Sequence, residues 1–259
     1  MKSIARRQAL FHPQHPIPSL LRALRSAVLL LITLSFAGCT SIGMHNTAAL
    51  QNINFGPQER LRICVLLDDH EVTEAEGVKL IQNIAQAFAL YGIMVEVPWY
   101  RSWHQPDGGN SAIIQDLAAR RLQAPCDRLI ALAGVHVSDV LVGMLGVMTL
   151  GAVDTVTHTR GYVLCDSTCS GQMLTTPYIA IVHESYHLLG CEHDLSMENC
   201  YERIRMLKEA ARQNRERGND FFPTYSRNGQ IILRREDVNL LESLALRIER
   251  VKRPKLETP

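Results

Sequence analysis

Residues 175–194 read Thr175-Thr176-Pro177-Tyr178-Ile179-Ala180-Ile181-Val182-His183-Glu184-Ser185-Tyr186-His187-Leu188-Leu189-Gly190-Cys191-Glu192-His193-Asp194. A hydroxyl residue followed by proline is a helix start, the hydroxyl capping and the proline filling the first helical position. Val182, Tyr186 and Leu189 then recur at helical spacing, which gives the segment an apolar face. His183 and His187 are four residues apart, so both imidazoles project from one face and can hold a single Zn²⁺. Glu184 lies one step round the helix, within reach of a water at the metal without being a ligand. Gly190 can adopt a left-handed conformation that ends the helix and returns His193 as third ligand. Three neutral nitrogens with one open position describe a catalytic zinc site and not a closed structural one. In a chain of this composition the pattern H-E-x-x-H-x-x-G-x-x-H is expected by chance about 5 × 10⁻⁵ times.

Outward from this stretch, Leu61 to Leu67 reads as a mostly buried strand. Thr73 with Glu76 forms a capping box for a helix whose face carries Ile81, Ile84, Phe88 and Tyr91, with Gly92 as its stop. Ile93 to Val97 is a second strand, Pro98 to Ser111 a loop, Ala112 to Leu122 a helix, and Arg128 to Ala133 a third strand. This order predicts an α/β fold with a twisted, mostly parallel sheet. Val147 to Val153 and Gly161 to Cys165 are further strand-like pieces. Downstream, Glu198 to Arg217 is a charged helix with Tyr201, Ile204, Leu207 and Ala211 as its apolar stripe. A last helix from about Glu236 to Arg250 is expected to bury Val238, Leu241, Ala245 and Ile248. His136 and His158 are lone histidines near strand ends, for which ordinary hydrogen-bonded roles are expected.

The chain has 259 residues, with 46% apolar and 20% charged, ordinary globular usage. Lys2, Arg6, Arg7, Arg22 and Arg25 are the only charged residues before Cys39. Of 27 basic residues, the remainder after these five is 22, against 26 acidic. So mildly acidic a body has no electrostatic footprint for nucleic acid. Ala27 to Gly38 is an apolar run behind Arg22 and Arg25, the order of an export signal, and too short to span a bilayer. Its ending, Ser35-Phe36-Ala37-Gly38-Cys39, resembles the lipobox of bacterial lipoproteins, with Phe36 departing from the usual Leu. That resemblance implies a signal peptide over 1–38, lipidation at Cys39, a membrane partner through that lipid, and a place in the cell envelope, with the outer membrane favoured. Residues 39–58 are then a spacer. The other six cysteines, Cys64, Cys126, Cys165, Cys169, Cys191 and Cys200, suit disulfides in an oxidising compartment. Cys165 with Cys169 and Cys191 with Cys200 are the shortest closures, but six cysteines allow 15 connectivities.

The extended histidine motif resembles that of the metzincin zinc peptidases at every defining position. Asp194 is similar to the adamalysin branch, whereas Phe221-Phe222-Pro223-Thr224-Tyr225, followed by Ile231 to Val238, resembles the matrixin ending. The resemblance implies a metzincin-like catalytic domain over 59–253 with 195–219 as a helical insertion. It implies zinc-dependent endopeptidase activity on proteins or peptides, one catalytic Zn²⁺ on His183, His187 and His193, and Glu184 as general base. Phe221 would stand at the methionine-turn position, with Met206 and then Met197 as alternatives. Pro223, Thr224 and Tyr225 would wall the pocket for the residue after the scissile bond, and the strand near Val147 to Val153 would pair with extended substrate. The missing methionine and the insertion motivate an alternative, a catalytically inactive zinc-binding lipoprotein serving as a binding or assembly module. Glu184 argues against it, because zinc binding alone requires only the histidines.

Overall fold

A computed structural model describes residues 42–134, 150–165 and 177–252. The export signal, Cys39, Cys169, His136, the Thr175-Thr176 cap, residues 147–149 of the expected strand and residue 253 of the expected domain lie outside the described residues.

Strand β1 (Glu59–Asp68) is buried along almost its whole length. Ile63, Val65 and Leu67 enter one hydrophobic cluster and Cys64 and Leu66 another. A strand covered on both faces reads as a continuous apolar run, as this one does. Helix α1 (Thr47–Asn52) precedes it, and α2 (Glu74–Ala89) follows from the expected capping box, with the Thr73 and Glu76 side chains each taking up the other's backbone N–H. Strand β2 (Ile93–Glu96) pairs parallel with the first half of β1. Part of the expected loop is instead a short strand, β3 (Tyr100–Trp103), parallel to the second half of β1. The register steps by one residue between the two, from Arg62 opposite Glu96 to Val65 opposite Tyr100. Pro98 sits in that step, where it has no ladder hydrogen bond to withhold.

Helix α3 (Asn110–Ala119) leads to β4 (Arg128–Ala133), the third strand at its expected bounds. With strands β5 (Gly151–Val153) and β6 (Arg160–Leu164) the described residues form a six-stranded sheet in which β2 and β3 share one side of β1, followed by β4, β6 and β5. Every pairing is parallel except β5 with β6. The chain is thus mixed α/β with a mostly parallel sheet. Helix α4 (Pro177–His187) packs against α2, β5 and β6, and α5 (Glu198–Glu216) follows. A small hairpin of β7 (Thr224–Tyr225) and β8 (Ile231–Ile232) precedes α6 (Arg235–Lys252). Among the described residues two disulfides form, Cys64 with Cys126 and Cys191 with Cys200. Among the described residues no helix is long and apolar enough to cross a membrane.

The apolar stripe of α5 is buried in the same cluster as β1, α2 and α4, with Tyr201, Ile204 and Leu207 fully enclosed. Its outer side carries the Glu202–Arg205, Glu209–Arg212 and Arg212–Glu216 pairs. This helix is therefore a wall of the core with one solvated face. In α6 Val238 is buried but Ile248 is exposed, contrary to the expected stripe, and Glu242 occupies a buried position instead.

Glu242 meets the loop between β5 and β6. Thr157 Oγ1 lies 2.5 Å from Glu242 Oε1 and 3.1 Å from Asp154 Oδ2. One hydroxyl hydrogen cannot serve two carboxylates, so a proton on Glu242 resolves the contact. Burial, with the Asp154 charge beside it, pushes the Glu242 carboxyl up to about 8 against the opposing pull of Arg160, whose Nη1 lies 3.5 Å from Glu242 Oε1. The folded chain then holds a proton that the unfolded chain releases near 4.5, so this contribution to stability is full below about pH 4.5 and lost as pH rises to about 8. Glu242→Gln is expected to raise the melting temperature relative to the parent at pH 8, by more than it does at pH 5. Calorimetry at the two pH values checks it, and an equal difference at both would contradict the assignment.

Candidate metal centre and active site

Two turns of α4 place His183 and His187 side by side, their ring centroids 5.1 Å apart. Gly190 then adopts φ 73°, and the chain reverses. A Cβ at this position would lie 2.6 Å from the Tyr225 ring, so both the backbone and the available space require glycine. His193 returns with its Nε2 3.0 Å from that of His183 and its ring 4.6 Å from that of His187. One ring nitrogen from each histidine falls within 4.8 Å of the others, a convergence suited to one ion.

The ligand set is oriented from behind. His187 Nδ1 is 2.7 Å from the Cys191 carbonyl, which can only accept, so Nδ1 carries the hydrogen and Nε2 keeps its lone pair. Burial, followed by smaller effects that include the neighbouring imidazoles, drives His187 down to about 4, leaving it in the neutral form that ligates a metal. The donor set, three imidazoles with no fourth protein ligand among the described residues, fits Zn²⁺ with an open position.

Helix α5 clamps the turn that carries the third histidine. Arg203 donates from Nη1 to the Gly190 carbonyl at 2.5 Å and from Nη2 to Glu192 at 2.8 Å, and its guanidinium lies over the Tyr225 ring. The Cys191–Cys200 disulfide joins the same turn to the first turn of α5. Residues expected as spacer support it as well, since Ile42 is buried and its carbonyl accepts from Asp194 N at 3.0 Å. From the other side, fully buried Arg128 donates to the carbonyls of Leu188, Asp127, Phe222 and Pro223.

A cleft of about 560 Å³ opens over the histidines. Gly151, Val153, Thr155, His158 and Glu184 line it together with the three histidines. Burial pushes the Glu184 carboxyl up to about 7. Gly151 is what allows Glu184 to sit there, because a Cβ on residue 151 would lie 2.6 Å from Glu184 Cγ and 2.7 Å from the Tyr162 carbonyl oxygen. His158 has φ 54°, the left-handed region, and its Nδ1 is 3.1 Å from the Tyr225 carbonyl oxygen. Burial lowers its pKa. Nothing in the sequence around His158 distinguishes it from an ordinary loop histidine, and its place in the cleft follows from the hairpin that anchors it.

Other expected site residues lie elsewhere. Phe221 is buried in the second cluster, among Cys64, Leu66 and Val238, with Arg235 over its ring. Met206 is 45% exposed, and Met197 is buried in the main cluster. Pro223, Thr224 and Tyr225 are buried behind the cleft: Pro223 accepts from Arg128, Thr224 donates to the Thr157 carbonyl at 2.5 Å, and Tyr225 packs under Gly190. They brace the site and are not among the residues lining the cleft. Tyr186 is fully buried with its hydroxyl 3.0 Å from that of Tyr91, the packing role expected.

No family model and no curated protein matches the chain. Among solved structures, 15 chains match. One is the archaemetzincin of Methanopyrus kandleri, 12% identical, with 61% of this chain and 96% of that one covered and a TM-score of 0.35. A likeness of that size assigns neither family nor activity.

If Arg203 holds the third ligand in place, Arg203→Met, which keeps the apolar stem, should weaken zinc binding at the histidine cluster about 10- to 100-fold, the usual cost of removing support behind a ligand. Competition against a chromophoric chelator measures it, and unchanged affinity would remove Arg203 from this role.

Proposed function

We propose that this chain is a zinc-dependent endopeptidase of the metzincin type, hydrolysing peptide bonds in proteins or peptides. The observation that carries the reading is the convergence of His183, His187 and His193 in a cleft that also holds Glu184 beside the edge strand β5. Zinc, when bound by the three imidazoles, supplies Lewis-acid polarisation of the scissile carbonyl and acidifies water. Glu184 is the group placed to take the proton of the attacking water and deliver it to the leaving nitrogen. Its largely enclosed setting, which raises its pKa toward neutrality, suits a group that must both accept and return a proton. Among the described residues strand β5 ends the sheet and pairs only with β6, so its outer edge offers main-chain groups to an extended peptide along the cleft. No covalent intermediate is required, and none of the described cysteines is among the cleft-lining groups except Cys191, whose sulfur is in a disulfide.

The test is digestion of a random peptide library by the zinc-loaded full chain, read by mass spectrometry. Glu184→Ala should retain zinc and lose about 10²- to 10⁴-fold in rate, the range for a general base. Gly151→Val should also retain zinc and lose at least tenfold, because its side chain would displace Glu184. Absence of cuts by the folded, zinc-replete parent, or equal cutting by Glu184→Ala, would overturn the reading.

A further inference from the structure

A second group of metal-ligating side chains stands at the carboxyl end of the sheet. Asp69 and His70 immediately follow β1, and His104 immediately follows β3. The parallel register sets Asp68 opposite Trp103, and Asp69 N donates to the Trp103 carbonyl at 3.1 Å, so the residues that leave the two strands emerge side by side. Asp69 Oδ1 lies 3.5 Å from His70 Nε2 and 3.5 Å from His104 Nδ1. The three ligand atoms are all within 4.8 Å of one another, and the two rings meet edge-on at 5.5 Å.

Zinc bonds to nitrogen and carboxylate oxygen of about 2.0–2.2 Å, arranged tetrahedrally, place neighbouring ligand atoms about 3.3–3.6 Å apart. Both separations to Asp69 Oδ1 fall in that range. We propose that Asp69, His70 and His104 form a second zinc site, with two imidazole nitrogens, one carboxylate oxygen and a fourth position open to water. Nitrogen-rich coordination disfavours Ca²⁺ and Mg²⁺, which take oxygen ligands, and the absence of sulfur from the set disfavours Cu⁺. The site shares no residue with the His183 cluster and rests on different elements. All three side chains are exposed, so an ion there exchanges with solvent and binds more weakly than at the enclosed His183 centre. What it does is cross-link the two strand ends that the β1–β3 pairing brings together, stabilising the folded chain because the unfolded chain has no such preformed site.

Equilibrium dialysis of the full chain against Zn²⁺, with metal counted by elemental analysis, tests this. The parent should take two ions, His70→Ala/His104→Ala one, His183→Ala/His187→Ala one, and the fourfold variant none. Zinc should raise the melting temperature of His183→Ala/His187→Ala and leave that of the fourfold variant unchanged. His70 and His104 are 71% and 72% exposed, so their removal spares the core. If His70→Ala/His104→Ala binds as many ions as the parent, the second site does not exist. If instead only the His183→Ala/His187→Ala pair leaves the count unchanged, it is the catalytic reading that fails.

Discussion

The left-handed turn at Gly190 is the constraint on which the site depends. Helix α4 alone can present two histidines, and a third nitrogen reaches them only if the chain reverses within a few residues of His187. Gly190 permits the reversal because it tolerates φ 73° and because the Tyr225 ring leaves no space for a Cβ. The same contact couples the metal cluster to the hairpin of β7 and β8, so the end of the domain supports its centre. Asp154, through its bonds to the backbone of Val156 and Thr157, shapes the β5–β6 loop, and Thr224 and His158 tie that loop to the hairpin.

Ending a helix inside a folded domain leaves carbonyls without partners, and their partial negative charge favours cations. Arg128 and Arg203 supply both hydrogen bonds and charge there, the first to Leu188 and the second to Gly190. Burial drives Arg128 down to about 10, still protonated at neutral pH, and its four carbonyl acceptors offset the desolvation. These arginines hold the backbone, and the backbone holds the ligands.

Features carried by local pattern were legible in the sequence. The capping box at Thr73, the uninterrupted apolar runs of β1 and β4, and the His183–His193 spacing each encode their geometry within a few residues. Features that arise from distant contacts were not. Strand β3 is two residues past a proline and forms only because β1 offers it a partner. Arg128 reads as the polar start of a strand, and its role depends on chain 60 to 95 residues away. The helix after Cys191 was expected as an insertion, and in the fold its stripe joins the core while its Arg203 braces the turn that carries His193. Pro223 to Tyr225 were expected to face substrate, whereas the packing turns them inward. Phe221, expected at the methionine-turn position with Met206 and Met197 as alternatives, has its side chain in the second cluster, with Arg235 over its ring.

The central claim, that three histidines and no other side chain among the described residues define an open metal centre beside Glu184, is tested most directly by anomalous diffraction from zinc-soaked crystals. The account predicts a peak about 2.0–2.1 Å from one ring nitrogen of each of His183, His187 and His193, with the fourth position filled by solvent and the Glu184 carboxylate outside bonding distance. A zinc ion coordinated by Glu184, or a histidine cluster that stays empty while zinc binds elsewhere, would contradict it.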